Sequence, residues 1–326
     1  MKENAYPATI KIYLKKWSPK VDVKNLYRIA NIHPVINDKG TARLAINKNK
    51  IIDSNTVPGL TIKSKEIKDG VDINIRLKEN TIVDNPVHLC FGVTDRQATQ
   101  KIIINISTGK NSDISIFAHC IFPNATDVKH MMDGKIKVGE GSKYSYFERH
   151  IHSKNGGITV TPRARIILEE GARFKTEFEL LKGRVGILDI DYETICKKNS
   201  VMEMKTRISG TGNDIIKIKE VGNLIGESAR GVLISKIALR QDAAAEIINK
   251  LTATAQYVRG HVDCNEIIQD NAVASAVPII EVRDPKAHIT HEAAIGSVDT
   301  KQLQTLMSRG LSEDKATSLI IEVILG

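Results

Sequence analysis

Aromatic residues are scarce in this 326-residue chain, with one Trp, seven Tyr and six Phe. Clefts that stack sugars or unpaired bases depend on such rings, so their scarcity argues against both. Cysteine is sparse too. Cys90, Cys120, Cys196 and Cys264 lie far apart with no C-x-x-C pair. That excludes a disulfide scaffold and fits a reducing compartment. No apolar run approaches about 18 residues, so no membrane span is expected. The opening "MKENAYPATIKIYLKKW" lacks the basic-then-apolar form of a secretory signal, and a cytoplasmic location is the default expectation. No G-x-x-x-x-G-K-[ST] occurs, so the chain is not expected to hydrolyse ATP.

Charge is present in excess and unevenly placed. The net charge is +9, and residues 1–80 hold 16 Lys and Arg against 8 Asp and Glu. These cations are scattered among apolar residues, with Tyr6, Tyr13, Trp17 and Tyr27 as the rings near them. A solvated surface is the better reading, and nucleic acid is not expected as a partner.

Three stretches differ in pattern. Residues 1–84 read as a small separate α+β region, with a short helix at "NLYRIANI" and strands at "GLTIKSKEI" and "VDINIRL". From 85 to 298, β-branched runs of five to eight residues alternate apolar with polar positions, and no long helical segment intervenes. Three of these, "KVGEGSKYSY", "ILEEGARFKT" and "EVRDPKAHIT", share a strand–tight turn–strand form. Gly141 and Gly171 stand 30 residues apart, but no exact period continues along the sequence. Irregular coils of about 20–30 residues favour a β-helix, with a β-sandwich as the alternative. Cys90 and Cys120, in "HLCFGV" and "FAHCIF", read as buried inert thiols.

Residues 299–326 return to helical spacing. Asp299 is an N-cap with Gln302 three residues on, and Gly310 ends the first helix. Ser312 caps the second, whose apolar stripe is expected to run through Ala316, Leu319, Ile320 and Ile324. Just before this hairpin, "GHVDCNEII" and "THEAAIG" gather His261, Asp263, Cys264, His291 and Glu292. A polar strand with a buried cysteine is one reading, and a metal or cluster site is the other.

"AHITHEAAIGSVDTKQLQTLMSRGLSEDKATSLII" resembles the C-terminal signature of the SufB/SufD family, scaffold proteins of the SUF-type iron–sulfur cluster assembly system. "HVDCNEIIQDNAVASAVPIIEV" resembles that family's penultimate coil. The resemblance is specific from about 260 to 321 and looser towards the start, and the chain's length suggests a compact archaeal-type or minimal-system member. It implies a mainly β protein, a right-handed parallel β-helix flanked by an N-terminal region and a C-terminal helical segment. It also implies an SufC-like ABC ATPase as partner, docked on the last helices, where Leu306, Met307, Arg309, Leu311, Leu319 and Ile320 are the candidate contacts. Two scaffold chains would join through their β-helix ends, as a homodimer or as a heterodimer with a paralogue. A sulfur donor and apo-protein acceptors complete the implied partners.

The implied cargo is a transient iron–sulfur cluster near that joint. Cys264 is the leading candidate ligand because thiolate is the soft donor that iron–sulfur chemistry prefers, with Glu292, His291, Asp263 and His261 as further candidates. Strand parity sets Cys264 opposite His261 and Asp263, and Glu292 opposite His291. One departure stands out: bacterial SufB members carry a cysteine shortly before the "VPxIEV" strand, where this chain has Ala272. The competing functional readings are a β-helix carbohydrate-active lyase or hydrolase and a purely structural interaction protein.

Overall fold

The computed structural model describes residues 23–326, so Tyr6, Tyr13 and Trp17 lie outside the described residues. Among the described residues, nineteen strands form two sheets, one of ten strands and one of nine. From Val87–Gly92 onward, consecutive strands alternate between the sheets, and each pairs in parallel with the strand two places on. The chain is therefore a parallel β-solenoid, each coil contributing one strand to each sheet.

Alternation builds the core. Along Ala244–Ala253 the residues Ala245, Ile247, Asn249, Leu251 and Ala253 point inward and are buried, while Glu246 is exposed. Stacking coil on coil turns each inward position into a column of side chains between the sheets.

The coil period is more regular than the sequence indicates. Gly70 pairs with Lys101 and Ile158 with Gly186, so a coil takes between 28 and 31 residues. At one corner the chain turns through the left-handed region in successive coils up to the last but one, at Asn80, Asn111, Gly141, Gly171, Asn199, Ser228 and Tyr257. Their amides donate up the stack, Asn111 to Glu140, Gly141 to Glu170, Gly171 to Lys198 and Asn199 to Glu227, at 2.9 Å each. Only some of these residues are glycine, which is why the turn repeat is hard to see in the sequence.

The small N-terminal region joins the solenoid without a break in either sheet. The strand Arg43–Asn47 pairs in parallel with Val87–Gly92, and Gly70–Leu77 pairs with Gln97–Thr108. Two antiparallel hairpins thus begin the same two sheets. Helix α1 (Val23–Ile29) covers this end, setting Leu26 and Tyr27 against Ala45, Cys90 and Ile121.

Helices α2 (Thr300–Ser308) and α3 (Glu313–Leu325) form the hairpin expected at the other end of the chain. The Asp299 carboxylate accepts from the Gln302 amide at 2.7 Å, and Gly310 has φ +93°. Ser312 occupies the cap position of α3 without a side-chain bond. Helix α3 lies on the outer face of the ten-stranded sheet, packing Ile320, Ile321 and Leu325 against Ala238, Ile267 and Val298. The stripe is rotated from the expected one: Thr317 and Ile321 join the buried face, whereas Leu319 is 42% exposed. Arg207 Nη1 donates to the carbonyls of Leu325 and Gly326 at 3.2 and 2.7 Å, placing a cation at the negative end of the helix. No helix among the described residues is long and apolar enough to cross a membrane.

Candidate metal and cluster site

Both sheets stop at the coil formed by Val273–Val282 and His288–Gly296, each with one unpaired edge. Val273, Val277, Ile279, Val282 and Ile295 are between 38% and 63% exposed there, an unusual density of apolar surface for a free face.

The five residues singled out in the sequence lie on the last two strands of the ten-stranded sheet, Arg259–Ile268 and His288–Gly296. Register sorts them. Val262 pairs with His291 and Cys264 with Ala293, so Cys264 and His291 belong to inward columns. His261 pairs with Thr290 and Asp263 with Glu292, so these three candidates belong to outward columns. The His261 Nδ1 lies 2.8 Å from Thr290 Oγ1. One chain therefore does not gather all five around a point, because the sheet itself separates Cys264 and His291 from His261, Asp263 and Glu292.

Cys264 is 1% exposed, beneath Ala293 as the small cover of the last coil. Asn249 Nδ2 donates to its Sγ at 3.5 Å, and Ser235 Oγ donates to Glu266 Oε1 at 3.3 Å on the same inward face. Burial pushes the Cys264 thiol pKa up, against the lowering pull of Ser235 and Asn249. Burial likewise raises Glu266 to about 7. Glu266 is the acid that sequence reasoning missed. Its alternation with Cys264 in "DCNEII" placed it on the thiol's face, but a carboxylate inside a strand gives no sign that it is buried.

A second cluster lies deeper in the solenoid. Cys120 and His150 are cross-strand neighbours, and Glu148 stands two residues before His150. One ligand atom from each lies within 4.8 Å of the others, the single such group of three metal-binding side-chain types found among the described residues. The expected inert Cys120 is buried, but it has polar company. Its Sγ is 3.6 Å from Glu148 Oε1 and 3.8 Å from His130 Nε2. The alternation of Glu148, His150 and His152 in "FERHIH" was the sequence signal for this inward polar face.

The candidate docking residues divide in the same way. Met307, Arg309 and Leu319 are exposed, while Leu306 and Leu311 are half-buried. Ile320 is 5% exposed against the sheet, so it is spent on seating α3 and is withdrawn as a partner contact.

Two stacked sheets with thiols, imidazoles and carboxylates between them, ending in a coil of exposed apolar side chains, define a parallel β-solenoid. Residues 91–323 match the family model described as "SUF system FeS cluster assembly, SufBD core domain". The chain belongs to the SufBD family. It is 39% identical over 292 residues to an iron–sulfur cluster assembly SufBD family protein of Methanocaldococcus jannaschii, covering 90% of this chain and 92% of that one. A SufBD family protein of Pyrococcus horikoshii is 35% identical over 319 residues, covering 98% of this chain and 96% of the relative. The iron–sulfur cluster assembly protein SufB of Bacillus subtilis is 29% identical over 162 residues, or 39% of this chain and 34% of its own. A role in iron–sulfur cluster assembly follows from this membership.

Proposed function

We propose that the chain is a scaffold on which a nascent iron–sulfur cluster is built at the open last coil, and that it is not itself an enzyme. The observation that carries this reading is the pairing of the Cys264 strand with the terminal strand bearing His291 and Glu292, at the end where both sheets lie unpaired. Unpaired edges and exposed apolar side chains call for a cover, and a twin chain related by a twofold axis supplies one. Cys264 and His291 are the inward donors for the cargo. Asp263, Glu292 and His261, on the outer face, are the donors within reach of a neighbouring chain. One thiolate with oxygen and nitrogen donors holds iron loosely, which suits a site that must release its product. The ATP-driven step falls to an SufC-like ATPase docked on α2 and α3, whose movement exposes the site. A cytoplasmic setting fits four unpaired thiols.

Anaerobic reconstitution with iron and sulfide tests the reading. The parent chain should develop the broad brown absorbance of a cluster and sediment as a dimer, and Cys264→Ser should stay at least tenfold paler at unchanged fold. Equal colour in both forms would remove Cys264 from the site. Colourless protein in both would favour a structural role.

A further inference from the structure

We propose that Cys120, Glu148 and His150, with His130 beside the thiol, hold a divalent transition-metal ion of the zinc or ferrous class inside the solenoid, apart from the assembly site at its open end. The inference does not rest on the assembly reading; it rests on which nitrogen of each imidazole is left to bind.

Gln100 settles the His130 tautomer. Its Nε2 donates to the carbonyls of Lys48 and Gly92 at 2.8 and 3.1 Å, which leaves Oε1 as the acceptor 2.9 Å from His130 Nδ1. His130 therefore carries its proton on Nδ1 and turns the Nε2 lone pair towards Cys120. A second chain settles His150. His152 Nδ1 lies 3.2 Å from the carbonyl of Arg184 and donates to it, so its Nε2 accepts from His150 Nδ1 at 3.1 Å. His150 Nε2 then meets Glu148 Oε1 at 2.7 Å. Two acceptors face each other there, and a cation must lie between them, either a proton or a metal ion.

The donors suit a metal. Tetrahedral zinc with a Zn–S bond of about 2.3 Å and Zn–N or Zn–O bonds of about 2.0 Å sets neighbouring ligand atoms roughly 3.3–3.6 Å apart. The 3.6 and 3.8 Å separations about Cys120 Sγ are close to those edges, whereas His150 Nε2 and Glu148 Oε1, 2.7 Å apart, must spread to admit the ion. Glu148 is 2% exposed, yet its Oε2 has no hydrogen-bond partner. Loading releases two protons, one from the Cys120 thiol and one from between Glu148 and His150. Thiolate and carboxylate then balance the dication, so total charge is unchanged. Phe122, 5.0 Å from His130, and Phe178, 4.7 Å from His150 between ring centroids, wall the cluster from water. The Gln100 and His152 relays are the outer hydrogen bonds that orient metal-binding histidines.

The test uses full-length protein in a Cys264→Ser background, so that the end site contributes nothing. Cells are grown in medium supplemented with zinc, and separately with cobalt. Expected is one equivalent of metal per chain by mass spectrometry. The cobalt form should show the visible bands of a tetrahedral ion and a near-ultraviolet thiolate-to-cobalt charge-transfer band. Adding Glu148→Gln should lower bound metal at least tenfold, and adding Cys120→Ser should abolish the charge-transfer band. Metal-free protein from both media, or cobalt bound without the thiolate band, overturns the proposal, and both are read on chains with the cluster intact. Loss of colour at the end site in Cys264→Ser alone speaks only to the assembly reading.

Discussion

Glu220 is fully buried between the sheets, with Thr206 Oγ1 donating to its Oε1 at 2.9 Å and its Oε2 unpartnered. Desolvation lifts its carboxyl from 4.5 to about 7, against the smaller lowering pull of Thr206. A raised folded-state value means the native chain holds this proton more tightly than the unfolded one. Stability from this group is thus present below about pH 4.5 and is lost as pH rises through about 7. Glu220→Gln keeps the acceptor for Thr206 and removes the titration. Relative to the parent, the variant should gain about 3 kcal/mol in denaturant unfolding between pH 5 and pH 8. An equal difference at both pH values would show that the carboxyl does not titrate in that window. At this scale the sequence was a partial guide. Alternation assigned Cys264 and Asp263 to opposite faces, as the register confirms. It could not bring His130 to Cys120, because the two lie on facing sheets and meet only once the coil is closed.

At the scale of the strand and its corner, glycine is required where one coil presses on the next. A Cβ on Gly226 would sit 2.0 Å from the amide nitrogen of Lys198 and 2.2 Å from the Lys197 carbonyl carbon, both backbone atoms of the coil below. Backbone cannot rotate away as a side chain can. Gly226→Ala should therefore cost at least about 2 kcal/mol and lower the melting temperature, whereas Gly296→Ala, with nothing within 4 Å, should be neutral. Equal melting temperatures would mean that the coils have room for the added methyl group. This corner also explains why strands were readable while their period was not. The inward alternation comes from hydrophobicity, which each strand displays locally. The left-handed corner can be met by Gly141, Asn199, Ser228 or Tyr257, four residues with no common chemistry in a sequence comparison.

At the scale of the whole molecule, α3 both closes the solenoid's flank and offers a surface, and the two roles fall on different residues. Ile320, Ile321 and Leu325 are buried against the sheet, each worth roughly 1.5–3 kcal/mol. Leu319 at 42% and Val323 at 72% exposure look away from it, with Met307 of α2 at 41%. The periodicity of "LSEDKATSLIIEVILG" revealed an amphipathic helix but not which apolar row faces home, because apolar residues occupy more than one face. Deleting residues 311–326 therefore cannot test docking cleanly. It strips the cover from Ala238, Ile267 and Val298 and removes the carbonyls that bind Arg207, so the melting temperature should fall by many degrees. The discriminating variants are Leu319→Asp and Val323→Asp, which put charge on the outward row and should change stability by less than about 0.5 kcal/mol. If an SufC-like ATPase docks on this row, co-purification with it should drop at least tenfold in the double variant while the melting curve stays in place. Full retention of the ATPase by that variant would move the docking surface off α3 altogether.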